Sequence, residues 1–164
     1  MKIPIFVSTP TVLNKKQQEI QNKIFTILDL YNLEPRTLGQ SDYPTQLPLR
    51  EVLAIAKHCA GALILGFEQY FARDVIIKKK TSQEKRQKKL SYPTPWNHLE
   101  AGILYALQIP MLVFKEKNIS GGIFDNGVSD VFIHPMPTKK NFNESQLHDI
   151  FLKWQSEVRK FYYG

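Results

Sequence analysis

Short apolar runs rich in branched residues alternate along the chain with longer stretches whose apolar residues recur every three or four positions, and this alternation constrains the fold more than any other feature. Residues 3–7, 33–38, 62–65, 110–114 and 131–134 read as buried strands. Asn14 reads as the cap of an amphipathic helix bearing Ile20, Ile24, Ile27, Leu28 and Tyr31. Leu49, Val52, Leu53, Ala56 and Cys59 outline a second helix, which Gly61 ends. Residues 68–77 read as a short helix. Pro93 and Pro95 forbid helix where they stand, so the next one begins near Trp96 or Asn97 and runs to about Gln108. Leu147, Ile150, Phe151, Trp154 and Val158 form the stripe of a closing helix.

Parallel neighbours need crossover connections, so strands and helices in this order specify an α/β protein with an open parallel sheet. Roughly five strands suit a flavodoxin-like three-layer fold with helices on both faces. Ligands in such sheets bind beyond the carboxyl ends of the strands, which directs attention to residues 8–14, 36–43, 66–69, 96–100 and 116–125.

A length of 164 residues allows one domain, residues 1–164, and is short for two. With 43% apolar and 23% charged residues the chain has a globular composition, and no run approaches the roughly 20 apolar residues of a membrane span. The first residues do not resemble a cleavable signal, so a cytoplasmic location and no membrane partner are expected. Cys59 is the sole cysteine and there are four histidines without zinc-ligand spacing, so neither an internal disulfide nor a metal site is expected.

The net charge is +7, and its distribution matters more than its size. Lys78, Lys79, Lys80, Lys85, Arg86, Lys88 and Lys89, opposed only by Glu84, supply +6 of it. A run of this kind reads first as a solvated, mobile insertion at about residues 78–95. A sharper reading is an electropositive lid that draws a phosphate-bearing ligand toward the residues that follow. Nucleic acid ranks third as a partner, because no aromatic residue interrupts the run to stack bases.

No G-x-G-x-x-G follows the first strand, no Walker motif is present, and Ser8 lacks a G-x-S-x-G elbow; dinucleotide redox chemistry, ordinary nucleotide hydrolysis and serine hydrolysis all lose support. What remains near the strand ends is carboxylates beside aromatic and amide groups: Asp42 with Tyr43, Glu68 with Gln69, and Glu100 with Trp96 and Asn97. A helix starting near Trp96 puts Trp96 and Glu100 on one face, with Glu100 in the first turn, where the helix dipole favours its ionised form. A first-turn glutamate that merely stabilises its helix has the same pattern. Ala101 and Gly102 offer no bulk to block a ligand. An ionised carboxylate beside an aromatic wall suits N-glycosidic cleavage, in which positive charge develops on the sugar ring.

Trp96-Asn-His-Leu-Glu100 has the W-x-x-x-E spacing of the helix that carries the catalytic glutamate in Toll/interleukin-receptor (TIR) domains that cleave NAD. Glu100-Ala-Gly102 with Leu104-Tyr-Ala-Leu-Gln-Ile-Pro110-Met-Leu-Val resembles the segment of nucleoside 2-deoxyribosyltransferases in which a nucleophilic glutamate opens a helix leading into a strand. The first strand, Ile5-Phe-Val-Ser-Thr-Pro10, is similar more loosely. The resemblance implies Glu100 as the catalytic residue, NAD or a related nucleotide as substrate with no tightly bound cofactor, self-assembly or a partner protein, and a role in bacterial antiphage signalling.

Ser8, Pro10, Asn14, Arg36, Asp42, Tyr43, Glu68, Trp96 and Asn97 are the candidate substrate-binding residues. Arg36 suits a phosphate or carboxylate, Asp42 sugar hydroxyls or a base edge, and Tyr43 stacking, although Asp42-Tyr-Pro44 reads equally as an ordinary turn. Nicotinamide leaves NAD as a neutral molecule, so one carboxylate can dominate its cleavage; deoxyribosyl transfer from an ordinary base also needs an acid, for which Asp42, Tyr43 or Glu68 could serve. A non-catalytic sensor of an ADP-ribose-type signal is the alternative outside enzymology.

Overall fold

Four β-α alternations, one of them interrupted by a hairpin, build the protein. A computed structural model describes residues 1–39 and 47–164. In order these form β1 (Ile3–Ser8), α1 (Lys15–Leu30), β2 (Leu33–Arg36), α2 (Pro48–Lys57), β3 (Gly61–Gly66), β4 (Tyr70–Ile77), β5 (Lys85–Tyr92), α3 (Pro95–Ala106), β6 (Met111–Lys115), a 3₁₀ turn (Gly122–Phe124), β7 (Ile133–Pro135) and α4 (Glu144–Tyr163). β1, β2, β3, β6 and β7 form one parallel sheet in the order β2-β1-β3-β6-β7, the flavodoxin-like order expected. No helix among the described residues is long and apolar enough to cross a membrane.

The strand alternation divides the core into two layers. Ile3, Ile5 and Val7 of β1 and Leu63 and Leu65 of β3 point toward α1 and α4, where Ile24, Leu28, Phe151 and Trp154 cover them. Phe6, Ala62 and Ile64 point the other way, toward Val52 and Ala56 of α2 and Ala101 and Leu104 of α3. Burial on both faces is why β3 reads as an unbroken apolar run. Asn14 and Asn143 each form a capping box, with Gln17 and Gln146 respectively, and so fix where α1 and α4 begin.

Two expectations fail. Residues 68–77 are not helical, and the basic run is not an irregular insertion: β4 and β5 pair antiparallel from Tyr70–Tyr92 to Ile77–Lys85. The apolar residues Val75, Ile76 and Ile77 are strand formers, and lysines on β5 are compatible with a strand whose two faces both meet water. The helix near Trp96 also starts earlier, because Thr94 caps it by accepting from the Trp96 N–H at 3.3 Å and Pro95 takes its first position. Glu100 therefore lies in the second turn, beyond the reach of the helix N-terminal charge.

Gly61 and Gly102 test the packing in opposite directions. A Cβ at Gly61 would stand 2.6 Å from a Val158 methyl and 2.8 Å from Ile5 Cδ1, whereas one at Gly102 would meet nothing within 4 Å. Gly61→Ala is expected to destabilise by about 1–3 kcal/mol through overpacking against α4. Gly102→Ala, in the exposed middle of α3, is expected to stabilise by roughly 0.5–1 kcal/mol. Urea unfolding midpoints of the two variants should move to opposite sides of the parent.

Candidate active site

The chain turns left from β1 to β2 and right from β3 to β6, which places the topological switch point, where sheets of this kind offer a ligand crevice, between the carboxyl ends of β1 and β3. The N-terminal half of α3 lies over it. The inward stripe of that helix is Asn97, Glu100, Ala101 and Leu104, spaced to face the sheet, while Trp96 is 40% exposed at the helix start. Gly102 is on the outer face, so it opens no space for a ligand.

The Asn97 amide spans the crevice. Its Nδ2 donates to Ser8 Oγ at 2.8 Å, to the Ser8 carbonyl at 3.3 Å and to the Leu65 carbonyl at 3.4 Å, tying β1 to β3. Two backbone carbonyls cannot face an amide oxygen, so this orientation is forced. Asn97 Oδ1 is then buried with no hydrogen-bond partner among the described residues. Ser8 Oγ receives the amide proton and gives its own to the Glu100 carboxylate.

Glu100 is 7% exposed and forms no ion pair among the described residues. Burial pushes its carboxyl up to about 7, and the Ser8 hydroxyl, which favours the ionised form, opposes the rise only in part. The expectation of a carboxylate kept ionised by the helix dipole is thus replaced by one that burial holds near the point of half-ionisation.

A second cluster sits where the chain leaves β3 and β6. Glu116 accepts from the Glu68 N–H at 2.6 Å and from Gln17 Nε2 at 3.3 Å, Gln17 Nε2 also donates to the Glu68 carbonyl at 3.1 Å, and Ser91 donates to the Glu68 carboxylate. Glu68 thereby anchors the foot of the β4–β5 hairpin. Gln17, Ser91 and Glu116 were not singled out from the sequence. Glu116 opens one of the segments selected by the strand-end rule, whereas nothing local marks Gln17 or Ser91.

The other candidates separate. Pro10 is buried just beyond β1, and the Asn14 side chain is engaged in the α1 cap, accepting from the Gln17 N–H at 3.0 Å. Arg36, at the end of β2, lines a small cavity with Pro4, Ala54, Ile55, His58 and Cys59. Asp42 and Tyr43 lie outside the described residues. A cavity of about 1040 Å³ does not include Glu100 in its lining: it borders the amino end of β6, β7 and α4 and includes Tyr105, Phe132, His134, Lys153 and Trp154. Its lining supplies no counterpart to the buried carboxyl, and chemistry rather than size directs attention to the β1/β3 crevice. Among the described residues no cluster suited to holding a metal ion occurs. No protein-family model matches the chain, and no curated protein matches it.

The raised carboxyl carries a stability signature. Below its ordinary value of 4.5 Glu100 is protonated whether the chain is folded or not; as pH rises through 4.5 to about 7 the unfolded state ionises first and stability falls. The full penalty is on the order of 3 kcal/mol. Glu100→Gln removes it, so the variant should gain that amount on the parent between pH 4 and pH 8 in urea unfolding. Parallel pH profiles for the two proteins would show that the carboxyl is not buried in solution.

Proposed function

We propose that the protein cleaves the N-glycosidic bond of NAD or a related nucleotide, with Glu100 acting at the anomeric carbon. The observation that supports this reading most directly is a buried carboxyl with a hydroxyl, not a cation, as its partner, at the sheet's topological switch point. The W-x-x-x-E resemblance to NAD-cleaving TIR domains points to the same side chain.

The electrostatics suit a cationic substrate. Burial makes the ionised carboxylate costly in the free protein, and a positively charged nicotinamide ring placed beside it offsets that cost and favours ionisation on binding. As the bond from C1′ to nitrogen breaks, its electron pair leaves with neutral nicotinamide and the positive charge moves to the ribose, where the carboxylate stabilises or captures it. Water then adds at C1′ and loses a proton, which yields the ADP-ribosyl product. Ser8 positions the carboxylate, and Asn97 positions Ser8. Trp96, at the helix start, forms the aromatic rim.

Purified protein incubated with NAD at low and high protein concentration, with products separated by chromatography, tests the proposal. Release of nicotinamide is expected, and a specific activity that rises with protein concentration would support assembly-dependent catalysis. Glu100→Gln should reduce release by about 10²–10³-fold while the variant remains folded. Equal turnover by that variant would remove Glu100 from the chemistry.

The pH dependence separates NAD cleavage from deoxyribosyl transfer. If the ionised carboxylate is the working form, kcat/KM for NAD rises with pH through about 7, the value of the free protein. A protonated Glu100 could instead donate to a departing base, and the deoxyribosyltransferase reading would then gain support from a rate with deoxynucleosides that falls over the same range. Binding of ADP-ribose species by both proteins without turnover would favour the sensor.

A further inference from the structure

The β4–β5 hairpin is a separate feature that N-glycosidic cleavage does not require. Its two eight-residue strands pair with each other, and neither packs extensively on another element. At about 3.3 Å per residue the ribbon extends some 25 Å. Its foot is fixed to the body by Gln69 Nε2 donating to the Val12 carbonyl at 3.4 Å, by the Ser91 bond to Glu68 and by a bridge between Ser91 and Ile119.

Nearly all of the protein's excess positive charge lies on this arm. Arg73, Lys78, Lys79, Lys80, Lys85, Arg86, Lys88 and Lys89 face only Asp74 and Glu84, a net +6 of the total +7. A strand period of two sends Arg73, Lys89 and Lys85 to one face and Lys88 and Arg86 to the other. The tip is shaped rather than slack: Lys78 donates to Gln83, Glu84 accepts from the Lys80 N–H at 2.6 Å, and the Thr81 hydroxyl donates to the Lys78 carbonyl at 2.7 Å. Lys78 and Lys80 have φ of 51° and 61°, a region in which glycine is the comfortable residue. Lysine at both positions puts charge at the tip at the expense of backbone ease.

The ribbon also brings aromatic groups to the charge. Tyr70 and Tyr92 are cross-strand partners at its foot, 58% and 43% exposed and on the face of Lys88 and Arg86, while Phe71 on the opposite face is half exposed with the Arg73 guanidinium 5.6 Å from its ring centre. The basic run itself contains no aromatic residue, but strand pairing places Tyr70 and Tyr92 together at its base.

We infer that this hairpin is a binding arm for single-stranded nucleic acid, with phosphates along its cations and bases on Tyr70 and Tyr92. The length of the array matches about seven stacked nucleotides at 3.4 Å each and exceeds what one dinucleotide can engage. The aromatic foot favours unpaired bases over a duplex, whose bases are already stacked. A membrane-binding arm would carry its apolar residues at the tip, and here the tip is Lys-Lys-Lys-Thr-Ser-Gln-Glu.

Fluorescence anisotropy of a labelled 20-nucleotide oligo(dT), a 20-base-pair duplex and anionic phosphatidylserine vesicles, each titrated with the protein at 50 and 200 mM salt, tests the inference. The single strand should bind most tightly, with affinity that falls at least tenfold between the two salt concentrations. Tyr70→Ser with Tyr92→Ser should weaken the single strand about tenfold or more and leave the duplex unchanged. Lys78→Gly with Lys80→Gly should weaken binding and flatten the salt dependence while the melting temperature does not fall, a combination that a purely structural turn would not give. No binding of oligo(dT) at 50 mM salt, equal or tighter binding of duplex or vesicles, or indifference to the tyrosine changes would each overturn it. None of these outcomes depends on whether Glu100 cleaves a glycosidic bond.

Discussion

One side-chain amide organises the crevice. Strands β1 and β3 are hydrogen-bonded neighbours, yet the chain departs from them in opposite directions, and their terminal carbonyls at Ser8 and Leu65 are left facing α3. Asn97 Nδ2 reaches both and the Ser8 hydroxyl as well. An aspartate there would oppose carboxylate oxygens to two carbonyls, and a leucine would leave the carbonyls without that donor. Everything polar that follows is then determined: Ser8 Oγ, occupied as an acceptor, directs its proton to Glu100, and Asn97 Oδ1 is left facing away with its acceptor capacity unused by any described residue.

Glu100 occupies its place against its own solvation. A lysine or arginine beside it would lower the cost of burial and would also neutralise the group for a cationic ligand. The surrounding apolar layer of Phe6, Ile64, Ala101, Leu104 and Val113 supplies compensating stabilisation, because these side chains are buried between sheet and helix. Burial in that layer keeps the field of the carboxylate from being screened by water. The geometry that lifts the proton affinity of the acid is the geometry that makes its charge effective when it forms.

How much of this was legible in the sequence follows from the range of the interactions concerned. β1, β3 and β6 are apolar on both faces, and the stripe of α4 is long, so local pattern suffices for them. β4 and β5 failed because their apolar residues pack against little else, and a short apolar segment followed by a charge run contains no periodic signal of a pair. Glu100 stood out through its spacing to Trp96, yet the spacing misassigned the face: Asn97 points inward and Trp96 stands at the rim. The proton affinity of Glu100 was misread with it, since the Thr94 cap moves the helix start by one residue and burial then outweighs the dipole. The bond from Asn97 to Ser8 joins residues 89 apart, and Gln17 meets Glu116 across 99; no local motif encodes either.

The arm and the crevice are joined by very little chain. Tyr92 ends β5 and Thr94 caps α3, with Pro93 between them and Pro95 as the first helical residue. Two prolines with φ fixed by their rings make that junction stiff, and Pro93 is buried. At the other strand of the foot, Glu68 is held by Ser91 from β5 and by Glu116 from the end of β6. The hairpin therefore does not hang from a flexible linker. Its foot is held by Glu68 and Glu116, just beyond β3 and β6, and Asn97 is held by Ser8 and Leu65 at the ends of β1 and β3, so the carboxyl end of β3 is the part of the sheet that the arm and the site have in common.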